Sequence, residues 1–412
     1  SKCGTFGFVG SSPTAPTYLM ETYQRLPLKV IKGNGCWIWD DKGKKYLDAI
    51  AGIATCSLGH SDKKLRKALI NQLKKIQHVS NLYQIPEQEA LAEWLTKNSC
   101  ADKVFFCNSG AEANEAAIKL ARKHGRLKRG IEKPIILCAK SSFHGRTLAA
   151  LSATGQIKYQ KGFEPLLEGF EFFNFNDAKS FKNRFDCLEK NAPRIAAVLI
   201  EPVQGEGGIH IGNKDFFKLI KEICKENKIL LIFDEVQTGM GRTGHWWGYE
   251  YLNVEPDAFT IAKGLGGGHA IGALLVKEMA NVLEKGDHAS TFGGNPFACK
   301  AGITVAKEIE KRDLIQKSKL KGEKIEKSLN EIINLFPDHF SETRGIGLMR
   351  GLVIKDNSKL TAQLVIEEAL KERLLVISAG EKVIRMVPPL TINDKEISFL
   401  IKKLKRTLQR IT

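Results

Sequence analysis

No stretch of this 412-residue chain approaches the ~20 consecutive apolar residues that a membrane span needs, so no span is expected. Cysteine is scattered: Cys3, Cys36, Cys56, Cys100, Cys107, Cys138, Cys187, Cys224 and Cys299 include no Cys-x-x-Cys pair. An odd, dispersed set argues against a disulfide framework or a zinc site, and for reduced thiols in a cytoplasmic setting. Several, such as Cys107 and Cys138, sit inside apolar runs and read as small core residues. None of the nine histidines forms a His-Glu-x-x-His pattern, so no structural metal is expected. There is no Gly-x4-Gly-Lys-Ser/Thr loop. The runs Gly205-Glu206-Gly207-Gly208 and Gly264-Leu265-Gly266-Gly267-Gly268 lack the spacing and setting of a dinucleotide fingerprint. The opening Ser1-Lys2-Cys3-Gly4 does not read as a secretory signal, and the missing initiator Met leaves a removed targeting segment open.

Acidic residues are also in short supply: 46 against 63 basic ones, for a net charge of +17. Lysines outnumber arginines 47 to 16 and are spread along the chain. The tail Lys402-Lys403-Leu404-Lys405-Arg406 has helical spacing and reads as a solvated helix face. With no zinc finger or RNP-like aromatic set, compositional bias explains the charge better than nucleic-acid binding does. The bias also favours anionic small molecules.

What is present suffices for large cores, since 43% of the residues are hydrophobic. Residues 1–60 form an N-terminal segment rich in Pro and Gly, with a strand-like piece at 35–40 and a helix beginning near Ser61. Residues 61–298 alternate helical and apolar strand-like segments, the pattern of a parallel sheet covered by helices. Strands are expected at 104–107, 135–139, 196–200, 230–233, 258–261 and 273–276. Residues 299–412 open on a long helical stretch followed by strands near 351–354, 375–377 and 383–387, predicting a smaller α+β domain packed with the N-terminal segment. The fold class expected is therefore α/β.

Chemistry collects where these strands end. Ile229-Leu230-Leu231-Ile232-Phe233 delivers Asp234-Glu235, and Phe259-Thr260-Ile261-Ala262 delivers Lys263. Ligands of open α/β sheets bind beyond the carboxyl ends of the strands. A lysine ready for a Schiff base and a carboxylate for a pyridine nitrogen suit pyridoxal 5'-phosphate. Either residue alone would read as a strand meeting solvent or a helix cap. A third strand runs into Asn108-Ser109-Gly110 and then a strongly helical segment, which offers an anion site of free backbone N–H groups. Ser142-Phe143-His144-Gly145-Arg146 follows another strand, bringing an aromatic face for a ring and a guanidinium fork for a carboxylate. Glu201 ends a further strand beside a glycine loop.

Together, Leu231 through Gly244 with Ala262-Lys263-Gly264, Asn108 through Ala113, and Ser290-Thr291-Phe292-Gly293-Gly294-Asn295-Pro296 resemble the class III (ω-amino) pyridoxal-phosphate aminotransferases over essentially the whole chain. The resemblance implies the fold type I architecture: a large cofactor domain with a mainly parallel sheet, plus a smaller α+β domain. It implies Lys263 as the Schiff-base lysine and proton shuttle, and Asp234 as the partner of the pyridine nitrogen, with Glu235 beside it at the cofactor. Val236 and Phe143 would sandwich the ring, and Gln237 would reach its hydroxyl. Ser109, Gly110 and Ala111 would hold the phosphate, and Thr291 would reach the phosphate of the other subunit of a homodimer with shared active sites. Ala111 departs from the family, many of whose members carry Thr there, so only its backbone amide remains.

Residues 18–27, 51–60 and 78–83 look closest to the acetylornithine aminotransferases. Arg146 and Ser290 would then line the acetylornithine carboxylate pocket, with Asn81 and Tyr83 on the substrate side. Arg385 would bind the α-carboxylate of 2-oxoglutarate, while Glu201 changes partners as the substrates alternate. The implied reaction carries the terminal amine of N2-acetylornithine to 2-oxoglutarate in arginine biosynthesis. Succinylornithine, ornithine, 4-aminobutyrate and succinyl-diaminopimelate remain alternative donors, and a basic, non-catalytic binding protein is the alternative of a different class.

Overall fold

A computed structural model describes residues 18–412; Cys3 and the rest of residues 1–17 lie outside it. At its centre is a seven-stranded sheet of β1 (Lys103–Cys107), β2 (Ile135–Ala139), β3 (Phe170–Phe173), β4 (Ile195–Ile200), β5 (Leu230–Asp234), β6 (Ala258–Ile261) and β7 (Gly272–Val276). The spatial order is β1-β7-β6-β5-β4-β2-β3. Only β7 runs against its neighbours, pairing antiparallel with β1 and with β6. Strands β2, β4, β5 and β7 are buried along their whole length, as continuous apolar runs between helical layers must be. The edge strand β3 was not expected, because its mixed Phe-Glu-Phe-Phe sequence is only partly buried and lacks such a run.

Helix α1 (Gly110–Arg129) crosses the back of this sheet. Ser109 starts it, its Oγ accepting from Glu112 N at 3.2 Å, and left-handed Gly130 ends it. Its buried face is built of small residues, among them Ala113, Ala116, Ala117 and Ala121. The helix lies so close that a Cβ on Gly125 would stand 2.6 Å from Ala196 Cβ.

Strands Val30–Asn34, Trp37–Asp40 and Lys45–Asp48 form a second sheet, to which Leu374–Leu375 adds in parallel. A third, antiparallel sheet contains Phe340–Ile346, Met349–Ile354, Val383–Met386 and Ile377–Ala379. The single strand expected at 375–377 is thus two short ones in different sheets, with buried Val376 passing between them. Helices Leu314–Leu335, Ala362–Lys371 and Asp394–Ile411 pack with these sheets. Among the described residues no helix is long and apolar enough to cross a membrane, and all the described cysteines are free thiols.

Candidate active site

Strands β1, β2, β4, β5 and β6 point the same way, so the loops after them converge on one cavity of about 490 Å³. Lys263 and Asp234 both line it, together with Ser109, Gly110, Ala111, Phe143, Arg146, Glu201, Val236 and Gln237. Gly110 is required where it stands, because a Cβ there would meet Val236 Cγ1 at 2.7 Å. The first amides of α1, those of Gly110 and Ala111, begin a twenty-residue helix whose dipole favours an anion at this end.

Asp234 is the most heavily supported side chain of the site. Its Oδ2 accepts from Asn114 Nδ2 and from His144 Nδ1, both at 2.8 Å, and its Oδ1 accepts from Val236 N at 3.0 Å. Because a carboxylate only accepts, His144 carries its proton on Nδ1. Asn114 is itself fixed, its amide donating to His144 O at 2.7 Å and its Oδ1 accepting from Thr260 Oγ1 at 2.7 Å. Asn114 and His144 were not singled out from the sequence. His144 lay inside a motif that was and Asn114 one residue past another, and only the fold turns them toward one carboxylate.

Lys263 lies in a left-handed conformation, φ 33°, at the mouth of β6. Burial pulls its ammonium below the usual lysine range, opposed by Glu206 nearby, so the neutral amine is easier to reach than in water. Glu201 goes the other way. Burial, reinforced by the charge of Asp234, raises its carboxyl well above the usual range, although Phe143 N (3.2 Å) and Gly205 N (3.3 Å) donate to it.

Two expected roles move to other residues. Arg385 is 1% exposed and does not pair with Glu201. Its Nη1 donates to Glu206 Oε1 at 2.6 Å and to Gln237 Oε1 at 3.0 Å. Glu206 stands past the glycine turn that follows β4, whereas Glu201 is held at the strand end by backbone amides. Burial alone would raise the Glu206 carboxyl, but Arg385 and then Lys263 hold it below its usual value. Glu235, expected at the cofactor, turns to the far side because successive residues at a strand end point oppositely. Its carboxylate accepts from Gly248 N and Tyr249 N, each at 2.8 Å, and from Thr238 Oγ1. Its burial raises its pKa to about 7. It is a structural cap, not a cofactor contact.

Arg146 is exposed, its guanidinium 4.1 Å from the centre of the Tyr159 ring and 5.5 Å from that of Phe143. Asn81, Tyr83, Ser290 and Thr291 do not line the cavity. Asn81 Nδ2 instead donates to Ser290 O and Gly293 O, both at 2.9 Å, and Gln88 Nε2 donates to Asn81 Oδ1 at 2.8 Å. Ser290 Oγ accepts from Asn108 Nδ2 at 3.2 Å. The 290–294 loop is thereby fixed with Thr291 exposed, and Tyr83 is 65% exposed.

One wall was not foreseen. Ala51, Gly52, Ile53 and Ala54 have φ of 50°, 63°, 61° and 63°, one turn of left-handed helix before the cavity-lining Thr55. This conformation costs about 1–2 kcal/mol at each non-glycine residue. Asp48 Oδ1 offsets part of it by accepting from Ile50 N and Ala51 N at 2.9 Å.

Residues 18–408 match the family described as aminotransferase class-III. The acetylornithine aminotransferase of Prochlorococcus marinus (strain SARG / CCMP1375) is 69% identical over 411 residues, covering 100% of this chain and 98% of that protein. That of Prochlorococcus marinus (strain MIT 9313) is 63% identical, covering 99% and 98%. Among solved structures, the ornithine aminotransferase of Toxoplasma gondii ME49 superposes with a TM-score of 0.91 at 27% identity, covering 96% of this chain and 93% of that one. The N-acetylornithine aminotransferase of Stenotrophomonas maltophilia K279a gives 0.82 at 34% identity, covering 94% and 97%. The cofactor of such enzymes is pyridoxal 5'-phosphate. The residues present fit it: a lysine, a hydrogen-bonded aspartate, a helix N-terminus with unblocked amides, and a glycine that keeps the cradle open. With the fold type I sheet, these features and the matches along its length, the chain belongs to the class III aminotransferases.

Proposed function

We propose that the chain transfers the terminal amino group of N2-acetyl-L-ornithine to 2-oxoglutarate, giving N-acetylglutamate 5-semialdehyde and glutamate. The observation that carries this reading is the pair of arginines near one cavity, Arg146 open and Arg385 closed by Glu206. Alternating substrates that both bear an α-carboxylate, but at different distances from the reacting carbon, call for two such groups. The names of the two relatives above support the acetylated donor.

Bound pyridoxal phosphate supplies the electron sink that accepts the pair left when the carbon next to the amine loses its proton. The protein's side chains do the rest. Asp234, oriented by Asn114, His144 and the Val236 amide, would face the pyridine nitrogen. Lys263 Nζ, whose neutral form burial favours, would take the proton from the substrate carbon and deliver it to the carbon on the cofactor side of the linking nitrogen. Arg146 orients acetylornithine by its carboxylate. For the second substrate Glu206 releases Arg385, whose fork then holds the α-carboxylate of 2-oxoglutarate. Each half leaves the enzyme able only to run the other, so ping-pong kinetics are expected.

The reading includes a homodimer. The fixed loop with exposed Thr291 is flanked by exposed Phe292, Leu82 and Tyr83, an apolar surface suited to a second copy whose phosphate cradle Thr291 would complete. It also includes a cytoplasmic setting, and a division into an N-terminal segment, a cofactor domain to residue 298 and a C-terminal domain. The test is the visible spectrum of the holoenzyme after adding N2-acetylornithine without a keto acid. Conversion of the bound cofactor to its amino form supports the proposal; an unchanged spectrum that responds to ornithine or 4-aminobutyrate overturns the choice of donor.

A further inference from the structure

Arg242 belongs to the Gly239-Met240-Gly241-Arg242-Thr243-Gly244 run, which the mechanism above leaves unused. It is 2% exposed, yet among the described residues no carboxylate forms an ion pair with it. Burial of the lone cation brings its pKa down to about 9. A buried charge without a countercharge costs several kcal/mol unless its hydrogen bonds offset the loss of water. Those bonds are specific: Nη1 donates to Pro388 O at 2.6 Å and to Leu348 O at 3.0 Å. Leu348 N returns a bond to Arg242 O at 3.0 Å. The fit leaves no slack, since a Cβ on Gly347 would lie 2.6 Å from Arg242 O.

Three segments meet here: the turn at Gly347-Leu348 and two that reach the site. One leaves β5 and carries Asp234, Val236 and Gln237 before reaching Arg242. The other is Val383–Met386, which carries Arg385 and continues to Pro388. We propose that Arg242 is a positioning residue for the second substrate, tying the strand that holds Arg385 to the loop that holds the cofactor. It touches neither substrate nor cofactor and acts only through Arg385. A single bond would tolerate rotation; Nη1 donating to carbonyls on two separate turns holds the strand end against the turn at Leu348.

This inference rests on Arg385 being the 2-oxoglutarate site, and its consequence is asymmetric. Acetylornithine, oriented by Arg146, should not sense the tie, whereas 2-oxoglutarate should. The experiment measures each half-reaction separately in the holoenzyme, by the cofactor's visible spectrum, for Arg242→Met, Arg242→Lys and Arg385→Lys. A further variant, Leu329→Ala, removes a fully buried side chain of the helix Leu314–Leu335 and serves as the control for lost stability. Both Arg242 variants should raise the half-saturating 2-oxoglutarate concentration about 10-fold, equivalent to ~1.4 kcal/mol. Acetylornithine should shift by less than about 2-fold, and Leu329→Ala should shift neither. If Arg242→Met does not accumulate as folded protein, Arg242→Lys decides. Equal effects on both halves, or none, overturn the proposal while Arg385→Lys remains selective for 2-oxoglutarate. If Arg385→Lys is itself unselective, it is the underlying assignment of Arg385 that fails.

Discussion

Arg385 and Arg146 stand in contrasting surroundings. Arg385 is sealed from solvent and already paired with Glu206 and bonded to Gln237 through Nη1, whereas Arg146 is exposed and rests on the faces of Tyr159 and Phe143. A buried guanidinium cannot be left alone when its partner departs, because the stranded charge would cost several kcal/mol. It can only exchange one carboxylate for another. An exposed guanidinium pays little to wait, since water and the ring face hold it. The buried arginine therefore discriminates strongly, and the exposed one attracts and orients. On the proposed assignment, a chain that binds two carboxylate-bearing substrates in turn gains from having one of each: acetylornithine, with no second carboxylate to offer Arg385, leaves the Glu206 pair intact.

The largest perturbation should erase the contrast altogether. Lys263→Ala removes both the amine that links the cofactor and the base that moves the proton, so both half-reactions should fall by more than about 10⁴-fold. Circular dichroism should report an intact fold, because among the described residues the lysine side chain forms no hydrogen bond. Substantial residual transamination would refute its role. Next in size, Arg385→Ala should separate the ends. It strands Glu206 beside Gln237 in a buried site, a loss of about 2–5 kcal/mol where a hydrogen-bonded charge pair is broken. The half-saturating 2-oxoglutarate concentration should rise about 100-fold, with the acetylornithine half-reaction much less affected. An equal loss in both would mean that the two arginines do not serve different substrates. Arg146→Ala is the reciprocal and smaller change, since a solvent-exposed fork contributes less. Acetylornithine should need an about 10-fold higher concentration, and 2-oxoglutarate should be nearly indifferent.

The contrast between these two arginines was only half legible in the sequence. Apolar runs of the right length located six strands of the central sheet, because strands buried on both faces cannot disguise their hydrophobicity. The residues at their ends followed, and Lys263 and Asp234 stand on one cavity as that logic required. What escaped depended on contacts distant in sequence or on direction. Glu201 and Glu206 are both glutamates after the same strand, and no one-dimensional pattern says which one reaches Arg385. Glu235 sits next to Asp234, and only the alternation at a strand end sends its carboxylate to Gly248. Asn114 and His144 lie 120 and 90 residues from Asp234. The left-handed turn at 51–54 contains Ala and Ile where the conformation would call for glycine, so composition pointed away from it. The split at Val376 failed for the same reason: a run of Leu, Leu, Val and Ile names a strand but not which of two sheets receives it.

Glu201→Gln should have the smallest effect and sharpens the distinction between the two glutamates. Burial and the neighbouring Asp234 charge raise the Glu201 pKa in the folded protein. The folded chain then keeps a proton that the unfolded chain surrenders at ordinary carboxylate pH. Stability consequently falls as pH rises from the unfolded value toward the folded one, since the native state binds more protons across that interval. Glutamine imitates the protonated carboxyl, keeps one oxygen to accept from one of the two amides that now donate to different oxygens, and has no proton to lose. Thermal melts of the variant should therefore gain on the parent chain as pH increases above the usual carboxylate range, while turnover changes by only about 2- to 3-fold, a loss below 1 kcal/mol. Glu206 behaves oppositely, because its folded pKa is depressed: its contribution is present above the unfolded value and disappears as acid titrates it away from Arg385. If Glu201→Gln instead abolished the 2-oxoglutarate half-reaction, the carboxylate that exchanges with substrate at Arg385 would be Glu201 after all, and the pairing of Arg385 with Glu206 would be incidental to catalysis.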